Sequence, residues 1–171
     1  MRRQLLLMRH ARAEDRAVSD FTRNLSPHGR RQATMLGEHM AGRGWRPDCT
    51  LCSPALRAVE TWDGLREALA TERQPHFIRC LYNATPAALL AELRRVDETA
   101  GTLLVIGHNP GVALLASALA APNSEPAARE RLSGGFPAAA MAVFEVDEQT
   151  WADLDEGRAR LIELVDPENR Y

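Results

Sequence analysis

The sequence predicts an α/β fold: a mostly parallel central sheet, helices on both faces, and an antiparallel edge hairpin at the C-terminus. Three observations predict it. Short apolar runs alternate with amphipathic, capped helical segments, which is the pattern of a parallel sheet with crossover helices. The run TLLVIG, Thr102–Gly107, is apolar throughout, as a strand covered on both faces is. The last two strand-like runs follow one another with no helical segment between them, which marks a hairpin rather than a crossover.

The first strand spans Gln4 to Met8, and a charge-rich loop follows from Ala11 to Asn24. LSPHGRRQATMLGEHMAGRG is then a helix. Ser26 is its N-cap, Pro27 takes the first helical position, and Gly42 or Gly44 ends it. Ala33, Leu36, Gly37 and Met40 fall on one face at helical spacing. DCTLCSP is a short strand closed by Ser53-Pro54, followed by a helix over 55–70. HFIRCL is a third strand. Thr85-Pro86 repeats the cap-then-proline signal and opens a helix running to Val96. TLLVIG breaks at Gly107-His108-Asn109-Pro110-Gly111, and a helix runs on to Ala121. Residues 122–137 form a loop that leads to the strand AAAMAVFEV. Trp151 sits in a turn, and ARLIELV closes the sheet as an edge strand.

Length and composition fit a single domain spanning 1–171, with 45% hydrophobic residues to build a core. The formal net charge of -2, with signs interspersed, excludes a basic nucleic-acid footprint. The apolar stretch in MRRQLLLMRH is too short for a secretory h-region, and the longest later run, 112–121, is about half a membrane span. A soluble, cytoplasmic protein is expected. Cys49 and Cys52 make a C-x-x-C beside a third cysteine, Cys80. No second ligand pair completes a metal site and no helix start follows in redox fashion, so they read as small hydrophobes of the strand.

Four residues stand at strand carboxyl ends, where open α/β sheets bind ligands. Arg9 and His10 follow the first strand, Arg57 the second, and His108 the run TLLVIG. A lone Arg or His past a strand is ordinarily a solvated loop residue, whereas coincidence at three carboxyl ends points to a site. By contrast, His28, His39 and His76 read as structural or surface residues. Arginine presents a planar fork matched to phosphate oxygens. Imidazole is mostly neutral and nucleophilic near neutral pH, and it can accept a phosphoryl group in line. Nearby arginines favour that neutral form, and a second, protonated histidine would add a donor to the phosphate. No metal and no cofactor are required.

LMRHARAED, SPALRAVET and VIGHNPGV, in this order, resemble the histidine phosphatase superfamily, the phosphoglycerate-mutase-like fold. With DFTRNLSPHGRRQA the pattern is most similar to its SixA-type phosphohistidine phosphatase branch. The resemblance covers nearly the whole chain. It implies that His10 accepts the phosphoryl group, that Arg9 and Arg57 bind phosphate with Asn109 beside them, and that His108 completes the pocket. Asp20 and Arg23 would support the first loop. Asn24 and Ala11 replace a frequent Pro and Gly of the family without removing a chemical group.

The departure concerns the general acid. Relatives place a carboxylate after the third strand, where this chain has CLYNATP with Asn83, or just after the second catalytic histidine, where it has Asn109. Glu14, Asp15 and Asp20 are the carboxylates left on the first loop. The chain carries no large cap insertion, which fits a shallow site open to a phosphorylated side chain on a partner protein. The expected function is therefore removal of phosphate through a phosphohistidine on His10, acting on protein phosphohistidine. A small-molecule phosphomonoesterase acting on a sugar or nucleotide phosphate, and a non-catalytic phospho-ligand module, are the alternatives.

Overall fold

A computed structural model describes residues 3–147 and 150–169. Six strands form one sheet in the order β3-β2-β4-β1-β5-β6. β1 (Arg3–Arg9), β2 (Cys49–Cys52), β3 (His76–Phe77) and β4 (Thr102–Gly107) run parallel, while β5 (Met141–Val146) and β6 (Ala159–Val165) are antiparallel. The predicted sheet and its C-terminal edge hairpin are therefore present.

Strand alternation sorts the core onto two faces. Leu5 and Leu7 of β1, Leu103 and Val105 of β4 and Phe144 of β5 point one way. They pack with α3 (Pro86–Leu93) and α4 (Gly111–Leu119). Leu6, Met8, Leu104, Ile106 and Val143 point the other way, onto α1 (Pro27–Gly42) and α2 (Leu56–Leu69). The same alternation separates the C-x-x-C pair. Cys49 packs with the first face and Cys52 is buried in the second, so the two thiols cannot share a ligand.

The helix starts follow the local chemistry. The Ser26 and Thr85 side chains accept hydrogen bonds from Gly29 N and Ala88 N, each just ahead of a helix-opening proline. Three expectations are corrected. The third strand is only two residues long, because both lie exposed at the sheet edge and the chain then turns into a 3-10 turn, Arg79–Leu81. The helix from Pro86 stops at Leu93 rather than Val96. The 122–137 loop contains a helix, α5 (Pro126–Gly134), which opens on Pro126 and packs on β6. Its apolar face is slight, with only Ala128 and Leu132 buried, so periodicity did not reveal it. Among the described residues no helix is long and apolar enough to cross a membrane.

Candidate active site

β4 lies between β1 and β2, so the three strands deliver adjacent carboxyl ends. The His10 amide extends the ladder to the Gly107 carbonyl (3.0 Å), and the Ser53 amide to that of Ile106 (3.0 Å). Arg9, His10, Arg57, His108 and Asn109 thus line one open cavity of about 530 Å³, together with Arg12, Asp15, Asp20, Arg23, Tyr82 and Asn83.

Backbone fixes the His10 tautomer. Its Nδ1 lies 2.6 Å from the Ala11 carbonyl, which can only accept, so Nδ1 carries the hydrogen and Nε2 keeps the lone pair. Arg57 Nε donates to that Nε2 at 3.2 Å. Arg57 Nη2 also lies 3.3 Å from His108 Nδ1, which must then accept, leaving Nε2–H of His108 to donate to Ser53 Oγ at 2.7 Å. The two imidazoles are 5.1 Å apart between ring centroids.

Both histidines are neutral here. Burial pulls His10 down to about 3 against the hydrogen bond to the Ala11 carbonyl, and the charges of Arg57 and Arg9 act in the same direction as burial. Burial and then Arg57 bring His108 to about 4. Desolvation therefore outweighs the arginine repulsion invoked from the sequence. His108 is also no protonated donor in this arrangement: Arg57 occupies the nitrogen that would carry the added proton.

Arg9 donates from Nη1 to the Phe136 carbonyl (3.1 Å), while its buried Nε has no partner among the described residues. Asn109 Nδ2 donates to the same carbonyl (2.8 Å). Asn109 lines the pocket with one of its two amide hydrogens on the Phe136 carbonyl. Ala138 continues that wall, and no residue of 122–135 lines the cavity, so α5 does not cover it.

Asp20 and Arg23 both belong to the site. Arg23 donates to Asp20 Oδ1 (3.0 Å) and to the Glu14 carbonyl (3.1 Å), bonds that join two parts of the first loop. Asp20 goes further and contacts Arg57 directly through Oδ2 at 3.1 Å. Tyr82, Arg57 and Arg23 hold the Asp20 carboxyl down to about 2, so it stands ionised. Of the other first-loop carboxylates, Asp15 lines the cavity and Glu14 does not.

Three contributors escaped the sequence reading. Ser53 orients His108 from within SPALRAVET. Tyr82, next to Asn83, donates to Asp20 (2.6 Å) and stands edge-on to His108. Its loop is locked by Gly111, where a Cβ would come within 2.1 Å of the Ala84 carbonyl. Thr61, one helical turn after Arg57, donates to the Arg57 carbonyl (2.6 Å) and accepts from Ala11 N (3.0 Å). The i, i+4 spacing to Arg57 was the available signal for Thr61.

Thr61→Val should leave the buried Ala11 amide without an acceptor, at a cost of about 1–3 kcal/mol. Denaturant unfolding measures this. Thr61→Ser should restore most of the loss, and an unchanged midpoint in the valine variant would show that the Ala11 amide finds another partner.

Residues 5–80 match the sequence family described as the histidine phosphatase superfamily (branch 1). A solved structure from Nakamurella multipartitia, assigned as a SixA phosphohistidine phosphatase, superposes at a TM-score of 0.85. It is 32% identical, and the match covers 98% of this chain and 97% of that one. The chain belongs to the histidine phosphatase superfamily. Within the superfamily it is of the SixA type. An uncharacterized protein of Mycobacterium tuberculosis is 35% identical over 157 residues, 91% of this chain and 96% of that protein. Phosphohistidine phosphatase SixA of Escherichia coli is 28% identical over 149 residues, 85% and 86% of the two chains. For this histidine phosphatase the cluster of Arg9, His10, Arg57 and His108 is the candidate catalytic centre.

Proposed function

We propose that this phosphatase hydrolyses phosphohistidine on a partner protein, with His10 as the transient phosphoryl carrier. The observation that carries the proposal is the His10 tautomer. His10 Nε2 keeps its lone pair, neutral and held by the Arg57 N–H beside a cavity that Arg9 and Arg57 line, and it becomes the nucleophile when a phosphoryl group takes over that N–H.

In the first step His10 Nε2 attacks phosphorus. The new N–P bond forms as the substrate's N–P bond breaks, and the bond pair leaves with the substrate imidazole. In the second step water attacks the phosphohistidine, gives a proton to bulk solvent at the open mouth and forms inorganic phosphate, and the N–P pair returns to His10. Arg9 and Arg57 bind the phosphoryl oxygens, with His108 beside them, and they supply the positive charge without a metal.

The phosphohistidine preference rests on the amides that stand at the two positions where the resemblance expects an acid, Asp15 and Asp20 being the carboxylates at the cavity wall. Asn83 and Asn109 line the cavity where a proton donor would be useful, and Asp20 is ionised. A substrate imidazole can be protonated before cleavage near neutral pH and departs as a neutral ring. An alkoxide lacks that route, and a positioned acid is worth roughly 10²–10⁴ in rate. The mouth also suits a macromolecule, since the first loop and α5 leave it open. The SixA name of the Escherichia coli relative agrees with this substrate class.

A leaving-group series tests the reading. Phosphohistidine peptide should be fastest, aryl phosphates intermediate and alkyl phosphates slowest. Asn83→Glu should flatten the dependence among esters. If the native enzyme cleaves alkyl phosphates as fast as phosphohistidine, the small-molecule phosphomonoesterase reading takes over. Binding of phosphopeptide with no turnover would leave only the phospho-ligand module.

A further inference from the structure

Arg9, Arg12, Arg23 and Arg57 all line the cavity, and three of the four are tied down. Arg9 donates to the Phe136 carbonyl, Arg23 to Asp20 and the Glu14 carbonyl, and Arg57 to Asp20 and to both histidines. Arg12 differs. Its exposed guanidinium makes no hydrogen bond or ion pair among the described residues. Its backbone, by contrast, is clamped from both sides. The Arg12 amide donates to Gln32 Oε1 (2.9 Å), and its carbonyl accepts from the Ser26 amide (2.9 Å) and hydroxyl (3.1 Å). The first turn of α1 also closes on it: a Cβ at Gly29 would come within 2.0 Å of the Arg12 carbonyl oxygen, an approach that only glycine allows. The fold therefore fixes where residue 12 sits and gives its side chain no structural partner.

Resting on the reading that Arg9 and Arg57 bind the phosphoryl group, we infer that Arg12 is a further substrate-binding residue, which meets the phosphoryl dianion at the outer wall of the cavity and draws it in toward them. Capture needs a cation that is not already bonded. A guanidinium engaged with a carboxylate must share or give up that partner to take a phosphoryl oxygen, whereas Arg12 gives up only water. Its place is the outer wall because it is exposed, while His10, Arg57 and His108 are buried.

The whole lining sets the sign of the field. Besides the four arginines the wall holds two carboxylates, Asp15 and Asp20, and both histidines are neutral, so the cavity is net positive. Glu168 also feels the Arg12 charge, but its hydrogen bonds go to Gln32 and His28. A dianion is attracted into such a cavity, and removing an arginine from its wall weakens that attraction.

The test is steady-state kinetics of Arg12→Gln on phosphohistidine peptide and on an aryl phosphate, since both present a dianion. At low ionic strength kcat/KM should fall by about fivefold on both, through KM, with kcat within about twofold of native. Raising the salt to about 0.5 M should shrink the difference to less than about twofold, because screening shortens the reach of an exposed charge. Arg12→Lys should keep most of the native value, as capture by a positive field asks for charge rather than a fork. Asp15→Asn, which removes the opposite charge from the same wall, should raise kcat/KM by about twofold. Arg31→Gln makes the same change in net charge at an exposed position of α1 away from the cavity, and should leave both constants near native. Calorimetric binding of inorganic phosphate, which has no leaving group, should weaken by about threefold in Arg12→Gln. An unchanged KM and phosphate affinity in that variant, a loss in kcat instead, or an equal loss in Arg31→Gln would overturn the inference. If the peptide is not turned over, the phosphohistidine reading fails, while the aryl phosphate and inorganic phosphate still test Arg12. A native protein that binds no phosphate would overturn both.

Discussion

His10→Ala is expected to lose turnover by roughly 10³–10⁶ with the fold intact. The size of the loss follows from the geometry. Nε2 of His10 is the lone pair assigned to attack phosphorus, and the neighbouring imidazole is not set to replace it, since its own Nε2 carries a hydrogen donated to Ser53. The fold survives because His10 lies past the end of β1, where its ladder contacts come from the backbone amide and carbonyl. Brief reaction of the native enzyme with substrate should give a covalent label that survives alkali and is lost in acid, as a phosphoramidate is. An acid-stable, alkali-labile label would identify a serine ester instead and remove His10 from its role.

The same residue sets a pH dependence. With His10 at about 3 and His108 at about 4, the nucleophile stays neutral through mildly acidic pH, so the rate should not fall near the ordinary histidine value of about 6.5. Stability behaves differently. Below about 6.5 the unfolded chain takes up protons at these positions that the folded site refuses. The stability associated with the two neutral histidines is therefore complete above about 6.5 and lost progressively as pH falls toward their folded values. His10→Ala should reduce that acid slope in denaturant unfolding measured across the range.

Arg57→Lys is expected to be nearly as damaging as Arg57→Ala, each costing on the order of 10²–10⁴ in kcat/KM. One planar guanidinium reaches His10, His108 and two atoms of Asp20 at once, with separations from 2.6 to 3.3 Å. An ammonium is a point charge and cannot keep this geometry or hold two phosphoryl oxygens in a fixed fork. It also leaves the Asp20 side chain to Arg23 and Tyr82 alone. Steady-state kinetics on phosphohistidine peptide and phosphate inhibition measure both variants. Near-native kcat in the lysine variant would reduce Arg57 to a source of positive field.

Much of this was written locally. Apolar alternation in LLLM and TLLVIG, the Ser26-Pro27 and Thr85-Pro86 helix starts, and two closing strands without a helix between them suffice for the sheet, its faces and its edge hairpin. Each depends on neighbours within a few residues. The ordered motifs around Arg9, His10, Arg57 and His108 likewise placed the reactive groups at strand ends, because a strand's carboxyl end is a property of chain direction. Elements lacking a strong local period were not legible. α5 buries too little apolar surface to show a face, and β3 is cut short where the chain leaves the exposed sheet edge for the turn Arg79–Leu81.

What only the tertiary structure decided is the set of relations across the pocket. Which nitrogen of His10 carries the hydrogen depends on a carbonyl one residue away but on an angle the fold imposes. The neutrality of both histidines depends on burial, which exceeded the arginine repulsion that sequence proximity suggested. The Asp20 carboxylate meets Arg57 across 37 positions and Tyr82 across 62. Hydrogen bonds and desolvation act over a few ångströms of space, whatever the separation along the chain. Residue identity therefore determined which chemistry is available, and packing determined which atoms are free to perform it.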